Sequence, residues 1–277
     1  MKMRSFASIA AAICAGTALA VVDCRYVPER MDDFVWENEY FGARAYGPAL
    51  AKPAPVGEGL VSSGFDVFNK AVPDIMMADT LINGVRRKAS YHKFNGRGFD
   101  NYKVSTGRGC GGIGMLGKDG WRHDGNWKAQ RVVEKTDDRA VFELDYDSYT
   151  LRGTIESGRP FCRFDVIPKG DSVKGVLLGP GLDISAGRGH DGFLRVSIEK
   201  GFIANFEPET HGHVMTAIVV PHDAFLASDK EGCVYLLASA EKGLTYYAGA
   251  AWSGAGKFKT AEDWCKCVAG FAAQIRK

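Results

Sequence analysis

Beyond its first twenty residues the sequence has no apolar run of the ~20 residues that an α-helix needs to cross a bilayer. It also lacks an internal repeat, a domain linker and the Gly-x-Ser-x-Gly turn of serine hydrolases. Its glycine-rich turns do not have the spacing of a phosphate-binding loop, so nucleotide binding is not indicated. The formal net charge is only +2, which excludes few partners by itself.

Residues 1–20 have the pattern of a secretory signal peptide. Lys2 and Arg4 precede a short apolar stretch, and Ala18 and Ala20 supply the small residues that a cleavage site requires. We therefore expect residues 1–20 to be removed and residues 21–277 to form one domain, a length that large β folds often reach. The predicted location is periplasmic or secreted, without membrane insertion after signal cleavage.

The mature chain keeps six cysteines, at positions 24, 110, 162, 233, 265 and 267. An oxidising compartment permits disulfides, and six cysteines allow 15 pairings. Buried free thiols are the alternative, and the sequence does not decide between the two. Cys265 and Cys267 do not form a zinc site by themselves.

Short alternating segments predict a mainly β fold. In residues 139–146, every second side chain from Ala140 to Tyr146 is apolar, which is typical of a half-buried strand. Further strands are predicted at residues 34–38, 41–46, 151–155, 162–166, 176–178, 193–198, 214–220, 233–239 and 244–249. Turn signals separate them, at residues 157–160, 179–181 and 231–232, and residues 47–64 are predicted to be a loop. This pattern favours an antiparallel sandwich or barrel.

One helix is predicted near the C-terminus. Thr260 and Asp263 have the spacing of a capping box. Trp264, Val268 and Phe271 then fall on one face, which is expected to pack against the sheet.

The segment 86–108 carries most of the candidate chemistry. It contains seven basic residues, one acidic residue and four aromatics, with several glycines, and is predicted to be a loop-rich surface. Aromatic rings can cover the apolar faces of sugar rings, and Arg and Lys can bind carboxylates. An acidic sugar polymer therefore fits; single-stranded nucleic acid would also fit, but export argues against it. A solvated charged loop is the remaining alternative.

Proton-transfer groups lie within this segment. The predicted catalytic residues are Tyr91, His92, Asp100 and Tyr102, and the predicted substrate-binding residues are Arg97, Lys103, Arg108, His190, Asp191 and His211. In a lyase, Arg97 or Arg108 would neutralise a uronate carboxylate, and His92 or Tyr91 would remove the adjacent C–H proton. Tyr102 would protonate the leaving oxygen.

Two other chemistries stay open. His211 and His213 alternate on a possible strand near Glu207 and Glu209, as a metal site would want, but a surface turn explains them as well. We predict no metal ligands and no cofactor, with calcium left open. A hydrolase would need two carboxylates across a cleft, and the candidates are Asp100, Asp191, Glu207 and Glu209.

Several motifs resemble a bacterial family without an assigned function. FVWENEYFGARAYGP, SYHKFNGRGFDNYKV, GRGCGG, AVFELDY, GRGHDG and YYAGAAWS resemble domain-of-unknown-function family 4861, over residues 33–277. The resemblance implies an exported protein of polysaccharide-degrading bacteria, associated with the breakdown of pectin and other uronic-acid polymers. The opening strands look like those of galactose-mutarotase-like super-sandwiches. The family has no established catalytic residues to transfer.

Together these observations predict an antiparallel β super-sandwich, galactose-mutarotase-like, with a C-terminal helix. The expected function is action on a uronic-acid-containing, pectin-like polysaccharide or oligosaccharide, as a lyase before a hydrolase. The alternative is a non-catalytic carbohydrate-binding or accessory module of a polysaccharide-degradation system. No nucleic acid partner is expected.

Overall fold

A computed structural model describes residues 21–184, 192–209 and 211–276. Strands make up 45% of the structure and helices 13%, which confirms the predicted mainly β fold. The signal peptide predicted at residues 1–20 lies outside the described residues. The division into a leader and one domain therefore stays a prediction. No helix in the described ranges is long and apolar enough to cross a membrane.

The first five strands form one antiparallel sheet in chain order. They are β1 (Asp23–Val27), β2 (Asp33–Glu37), β3 (Phe41–Ala45), β4 (Phe65–Lys70) and β5 (Gly98–Phe99). The predicted hairpin is confirmed, since β2 and β3 pair with Trp36 opposite Ala43. Residues 47–64, between β3 and β4, contain no strand or helix, as expected for a loop.

Helix α1 (Met77–Arg87) follows β4 and packs on the outer face of this sheet through Met77 and Leu81, against Val35 and Phe68. The sequence analysis did not predict it. Residues 86 and 87 therefore belong to a helix, so the segment 86–108, predicted to be loop-rich, begins with the end of α1.

The other strands follow in chain order: β6 (Cys110–Gly117), β7 (Gly120–Arg122), β8 (Ala129–Lys135), β9 (Arg139–Asp145), β10 (Tyr149–Glu156), β11 (Phe161–Pro168), β12 (Leu177–Asp183), β13 (Phe193–Ser197), β14 (Phe202–Glu209), β15 (Gly212–Val219), β16 (Phe225–Ser228), β17 (Cys233–Ser239) and β18 (Leu244–Trp252). Eight of them form a sheet in the order β13-β14-β15-β18-β11-β10-β9-β8, and five form another in the order β16-β17-β12-β6-β7. Strand β18, the last in the sequence, therefore lies between β15 and β11 in the eight-stranded sheet and pairs with both.

One predicted turn is a strand. Residues 179–181 lie inside β12, where the pairing with β6 shifts register between Pro180 and Leu182. Proline cannot donate a ladder hydrogen bond and is tolerated in sheets at such irregularities. The turn prediction was therefore wrong, because the shift in register within β12 does not reverse the direction of the chain.

Aromatic rings join the first sheet to the eight-stranded sheet. The ring centroid of Trp36 lies 5.1 Å from that of Phe65 and 5.2 Å from that of Phe142, and Phe164 stacks on Tyr246 at 5.1 Å. These residues are at most 1% exposed. The alternation predicted for residues 139–146 is confirmed, since its apolar members face this core.

Helix α2 (Ala261–Ile275) confirms the predicted C-terminal helix. Thr260 and Asp263 form the capping box in both directions. Trp264 and Phe271 stack on Phe161 of the eight-stranded sheet, and Trp264 Nε1 donates to the backbone oxygen of Thr216 at 3.1 Å. The helix therefore covers the outer face of that sheet.

All six cysteines of residues 21–276 are free thiols. Four are buried in the core and two lie on α2. Of the two alternatives, the structure has the thiols and not the disulfides.

Candidate functional site

The chain reverses directly after α1. Lys88 adopts a left-handed conformation, and the backbone N–H of Ala89 donates to the oxygen of Gly84 at 3.0 Å. A left-handed residue at this position is a common way to end a helix. The reversal sends residues 89–97 back along the helix.

Residues 91–100 form a loop, the 91–100 loop, that is closed at its base. The N–H of Asp100 donates to the oxygen of Tyr91 at 2.9 Å, and the side chain of Asn95 accepts from the N–H groups of Arg97 and Gly98. The loop is also tied to β4, because the N–H of Ala71 donates to the oxygen of Arg97 at 2.7 Å. Its side chains are thus presented from a hydrogen-bonded frame.

Three of the four predicted catalytic residues lie together at the base of the 91–100 loop. The rings of Tyr91 and His92 are 4.5 Å apart. His92 Nδ1 lies 2.7 Å from the backbone oxygen of Asp100 and 3.8 Å from its Oδ2. Since a carbonyl oxygen only accepts, Nδ1 carries the proton in this contact, and in the neutral imidazole Nε2 is the nitrogen with the lone pair. The His92 side chain is 58% exposed, so that lone pair belongs to a solvent-accessible group.

Asp100 is held from below by Arg44 of β3. Nη2 of Arg44 donates to Asp100 Oδ2 and to Asp66 Oδ2, each at 2.8 Å, and Nη1 donates to Asp33 Oδ2 at 3.1 Å. All four side chains are buried. Tyr46 completes the group by donating to Asp66 Oδ2 at 3.0 Å.

This group places three carboxyls around one guanidinium. Burial raises the pKa of Asp33 to about 6, against the lowering effect of Arg44 and Arg30. Burial, and then the neighbouring Asp66, raise the pKa of Asp100 well above its ordinary value. For Asp33 and Asp100, desolvation disfavours the charged form more than the neighbouring guanidinium groups favour it. Asp100, which was predicted to transfer protons, is therefore a buried and ion-paired carboxyl. It lies close to His92 but is not exposed to solvent.

The hydroxyl of Tyr91 points away from solvent. It accepts from Nε of Arg30 at 2.7 Å, and the guanidinium carbons of Arg30 and Arg44 lie 5.6 and 5.5 Å from the centre of the Tyr91 ring. Cations at such distances are attracted to the ring face. Tyr91 is thus fixed as a wall of the site, and its predicted catalytic role stays a prediction.

The structure separates two other predicted residues from this group. Tyr102 is buried and its hydroxyl donates to the backbone oxygen of Asp183 at 3.3 Å. Arg108 is buried, and it donates to Ser63 Oγ at 2.8 Å and to the oxygen of Thr106. The polar atoms of both residues therefore serve contacts within the fold in this structure.

The predicted cations Arg97 and Lys103 are exposed. Arg97 forms an ion pair with Asp74 at 3.2 Å, and both side chains are more than half exposed. Such a pair is held weakly in water. Arg97 is therefore available to a competing carboxylate. His190 and Asp191 lie outside the described residues.

His211 meets the tip of the 91–100 loop. Its ring centroid lies 6.2 Å from that of Phe94 and 5.9 Å from that of Phe99. Trp252 of β18 joins them, at 5.4 Å from Phe94 and 5.3 Å from Phe99. Phe94 is 40% exposed. These four side chains form a ring cluster, which brings positions about 150 residues apart to one surface.

Sequence reasoning noted Phe94 and Phe99 as rings of the segment but did not place them at a site, and it missed Trp252. Trp252 ends a regular strand, and nothing in its local pattern distinguishes it from a core residue. His213, considered with His211 as a metal ligand, packs instead against Phe206, with the two ring centroids 4.5 Å apart. Within the described ranges no group of three or more acidic, histidine or cysteine side chains is arranged to hold a metal ion.

Three comparisons relate the chain to known proteins. The sequence model of a domain of unknown function, DUF4861, matches residues 15–277. Uncharacterized protein P7 of Formosa agariphila is 26% identical over 271 residues, which cover 91% of this chain and 67% of that protein. The periplasmic domain of Thermotoga maritima YidC is similar in structure, with a TM-score of 0.45 and 10% identity, over 88% of this chain and 96% of that one.

Proposed function

We propose, from the premise that the chain belongs to the DUF4861 family, that it is an exported enzyme that cleaves uronic-acid-containing polysaccharide by β-elimination. One observation carries the proposal. His92 is oriented through Nδ1 by the backbone oxygen of Asp100 at 2.7 Å, and its other nitrogen is left as an exposed base. A histidine held in this way is suited to general-base chemistry near neutral pH.

The reaction uses the acidity of the C–H group beside the uronate carboxylate. His92 Nε2 takes the proton from C5, the electrons of that bond form the C4–C5 double bond, and the bond from C4 to the bridging oxygen breaks. The imidazolium returns the proton to the leaving oxygen, so the imidazole is regenerated and all atoms balance. Binding of the carboxylate by a cation lowers the cost of the carbanion-like charge that develops.

Cations and rings for substrate lie on the same loop. Lys93 and Arg97 are exposed on either side of Phe94 in the sequence. The exposed rings of the cluster, Phe94 and His211, would stack against a sugar ring further along the chain of the polymer, with Phe99 and Trp252 buried behind them. Export, and action outside the cytoplasm on an acidic polysaccharide or oligosaccharide, are part of the proposal.

An absorbance assay tests the reaction directly. Pectate and other polyuronates are incubated with the protein, with and without calcium, and the conjugated double bond is followed in the ultraviolet. We expect turnover in the wild type and a loss of 100-fold or more in His92→Ala, within the range that general acid–base residues contribute.

His222→Ala is the matched control, because His222 makes the same kind of contact, from Nδ1 to the backbone oxygen of Asp223 at 2.9 Å, in another part of the surface. It should retain full activity. Equal rates in His92→Ala and the wild type would refute the role of His92. Release of reducing ends without the chromophore would indicate a hydrolase instead.

A second function, non-catalytic binding of carbohydrate, is favoured by a different observation. The ring cluster is built and partly exposed, whereas Asp100, Tyr102 and Arg108 are committed to contacts in the interior. In that case the protein would migrate more slowly in affinity gels that contain polyuronate, and Phe94→Ala would abolish this retardation. No double bond would form in the absorbance assay.

A further inference from the structure

A cavity of about 350 Å³ lies between α1 and the chain that returns along it. The helix contributes Asp79, Asn83 and Arg87, which are four residues apart and therefore share one face. The returning chain contributes Tyr91, Asn95 and Arg97. The volume is within the range of sites for small ligands.

A glycine shapes the inner wall. A Cβ atom at Gly84 would lie 2.8 Å from Cδ1 of Tyr91, closer than real Cβ contacts. The ring of Tyr91 can thus lie against the helix backbone only because position 84 has no side chain. The same ring lies 4.5 Å from that of His92, so the cavity adjoins the proposed base.

Arg87 has no ion-pair partner among the residues that the structure describes. Its neighbours are all engaged: Arg86 with Glu29 at 3.3 Å, Arg97 with Asp74 at 3.2 Å, and Asp79 with Arg25 at 2.9 Å. A guanidinium presents several donors in a fork that matches a carboxylate. Arg97 can exchange Asp74 for another carboxylate, but Arg87 has no such pair to break and is therefore the cation of this cavity that takes an anion without losing a partner.

The two ends of the helix face differ in charge. Asp79 lies two turns before Arg87, about 12 Å away along the helix axis. The amides of Asn83 and Asn95 lie along the cavity walls. A sugar acid has the matching pattern, with a carboxylate for Arg87 at one side of the ring and hydroxyl groups that can hydrogen-bond to the amides of Asn83 and Asn95 at the other.

We infer that this cavity binds the carboxylate-bearing ring of a uronate, with Arg87 as the carboxylate ligand. The inference rests on the proposed function, which it deepens by locating the acidic sugar next to His92. It also assigns a role to Arg87 of α1, which belongs to the segment 86–108 but is not among the predicted substrate-binding residues.

Binding measurements on the intact chain test the inference. Digalacturonate and, as a neutral probe, a galactose disaccharide are titrated into the protein by calorimetry. In Arg87→Met we expect the dissociation constant for digalacturonate to rise about tenfold, as expected for loss of a charge-assisted bidentate contact, with little change for the neutral sugar.

Arg86→Met is the matched control, since it removes the same charge from the adjacent residue, whose partner is Glu29 outside the cavity. It should change either constant less than twofold. Both arginines are exposed, and unchanged melting temperatures would show that both variants are folded.

Four outcomes would overturn the inference. If digalacturonate binding is weakened equally in Arg87→Met and Arg86→Met, the effect comes from the loss of positive charge in general and not from Arg87. If the wild type binds acidic and neutral sugars equally well, the cavity is not specific for a carboxylate. If Arg87→Met binds digalacturonate normally while turnover still depends on His92, the cavity fails and the proposed function stands. Absence of both binding and turnover on polyuronates would remove the two together.

Discussion

At the scale of single residues, Arg44 holds the interior beneath the 91–100 loop. It binds Asp33, Asp66 and Asp100 at once, and each of these side chains is less than 5% exposed. Breaking a buried ion pair is costly because the remaining charge has neither water nor a partner. The position of Asp100, and through it that of His92, depends on this cation.

We expect Arg44→Met to lower the free energy of unfolding by about 3–5 kcal/mol at pH 8, and by clearly less at pH 5. Asp33 and Asp100 have folded-state pKa values above their ordinary ones. Groups of this kind stabilise the folded state when they are protonated at low pH, and that contribution is lost as the pH rises through the folded pKa. Removal of the Arg44 guanidinium raises the pKa values of Asp33 and Asp100 further. The variant therefore loses more stability at pH 8 than at pH 5.

Urea unfolding of the variant and the wild type at both pH values measures the effect. Arg163→Met is the control, because its ion pair with Asp165 is partly exposed and should contribute at most about 1 kcal/mol. An equal loss at pH 5 and pH 8 would contradict the proposed cause.

At the scale of elements, α1 shows why one helix escaped prediction. Its N-terminus has no side-chain cap of its own. The cap comes instead from Glu37 at the end of β2, whose carboxylate accepts from the N–H groups of Met76 and Met77 at 2.8–3.1 Å and from Lys70 Nζ at 2.6 Å. Because the capping carboxylate comes from a residue 40 positions earlier in the sequence, the residues at the start of α1 carry no local capping signal. By contrast, α2 carries its own capping box and was predicted correctly.

Glycine-to-alanine substitutions in the two helices should have opposite effects. Alanine normally favours a helix interior over glycine by up to about 1 kcal/mol. At Gly270 of α2 no atom lies within 4 Å of the new Cβ, so Gly270→Ala should stabilise the protein. At Gly84 the new Cβ would collide with Tyr91, so Gly84→Ala should destabilise it and weaken uronate binding.

Thermal unfolding of both variants, with calorimetric titration of Gly84→Ala, would check this pair of predictions. A higher melting temperature in Gly84→Ala, with unchanged affinity, would mean that the contact between the helix and Tyr91 does not shape the cavity.

At the scale of the whole molecule, the described fold is held together without disulfides. Burial raises the pKa of the thiols of Cys24, Cys110 and Cys233 to about 12. A thiol that stays protonated is a poor nucleophile. Cohesion comes instead from the aromatic core and the three sheets.

We therefore expect a reducing agent to leave the melting temperature unchanged, although the protein is proposed to be exported. Of the six cysteines in residues 21–276, alkylation of the native protein should modify only Cys265 and Cys267, which are partly exposed on α2, and denaturation should expose the other four. A fall in melting temperature on reduction would reveal a disulfide and contradict the structure. Mass spectrometry of the alkylated peptides identifies the sites.

Much of the sandwich could be predicted because its half-buried strands alternate clearly, as residues 140–146 show. Strand β4 escaped, since Asp66, Asn69 and Lys70 are buried together with its apolar residues, so polar and apolar side chains do not mark opposite faces. The site could be predicted only in part. His92 and Phe94 lie in a segment of unusual composition, but the partners that decide their roles, Arg44 and Trp252, come from distant strands with ordinary local patterns.

The position of β18 also constrains how the chain can be assembled. Strands β11 and β15 are synthesised well before the residues that join them. Until residues 244–252 arrive, both strands have bare hydrogen-bonding edges, and such edges are templates for aggregation. We therefore expect the eight-stranded sheet to close late, only after residues 244–252 have been synthesised.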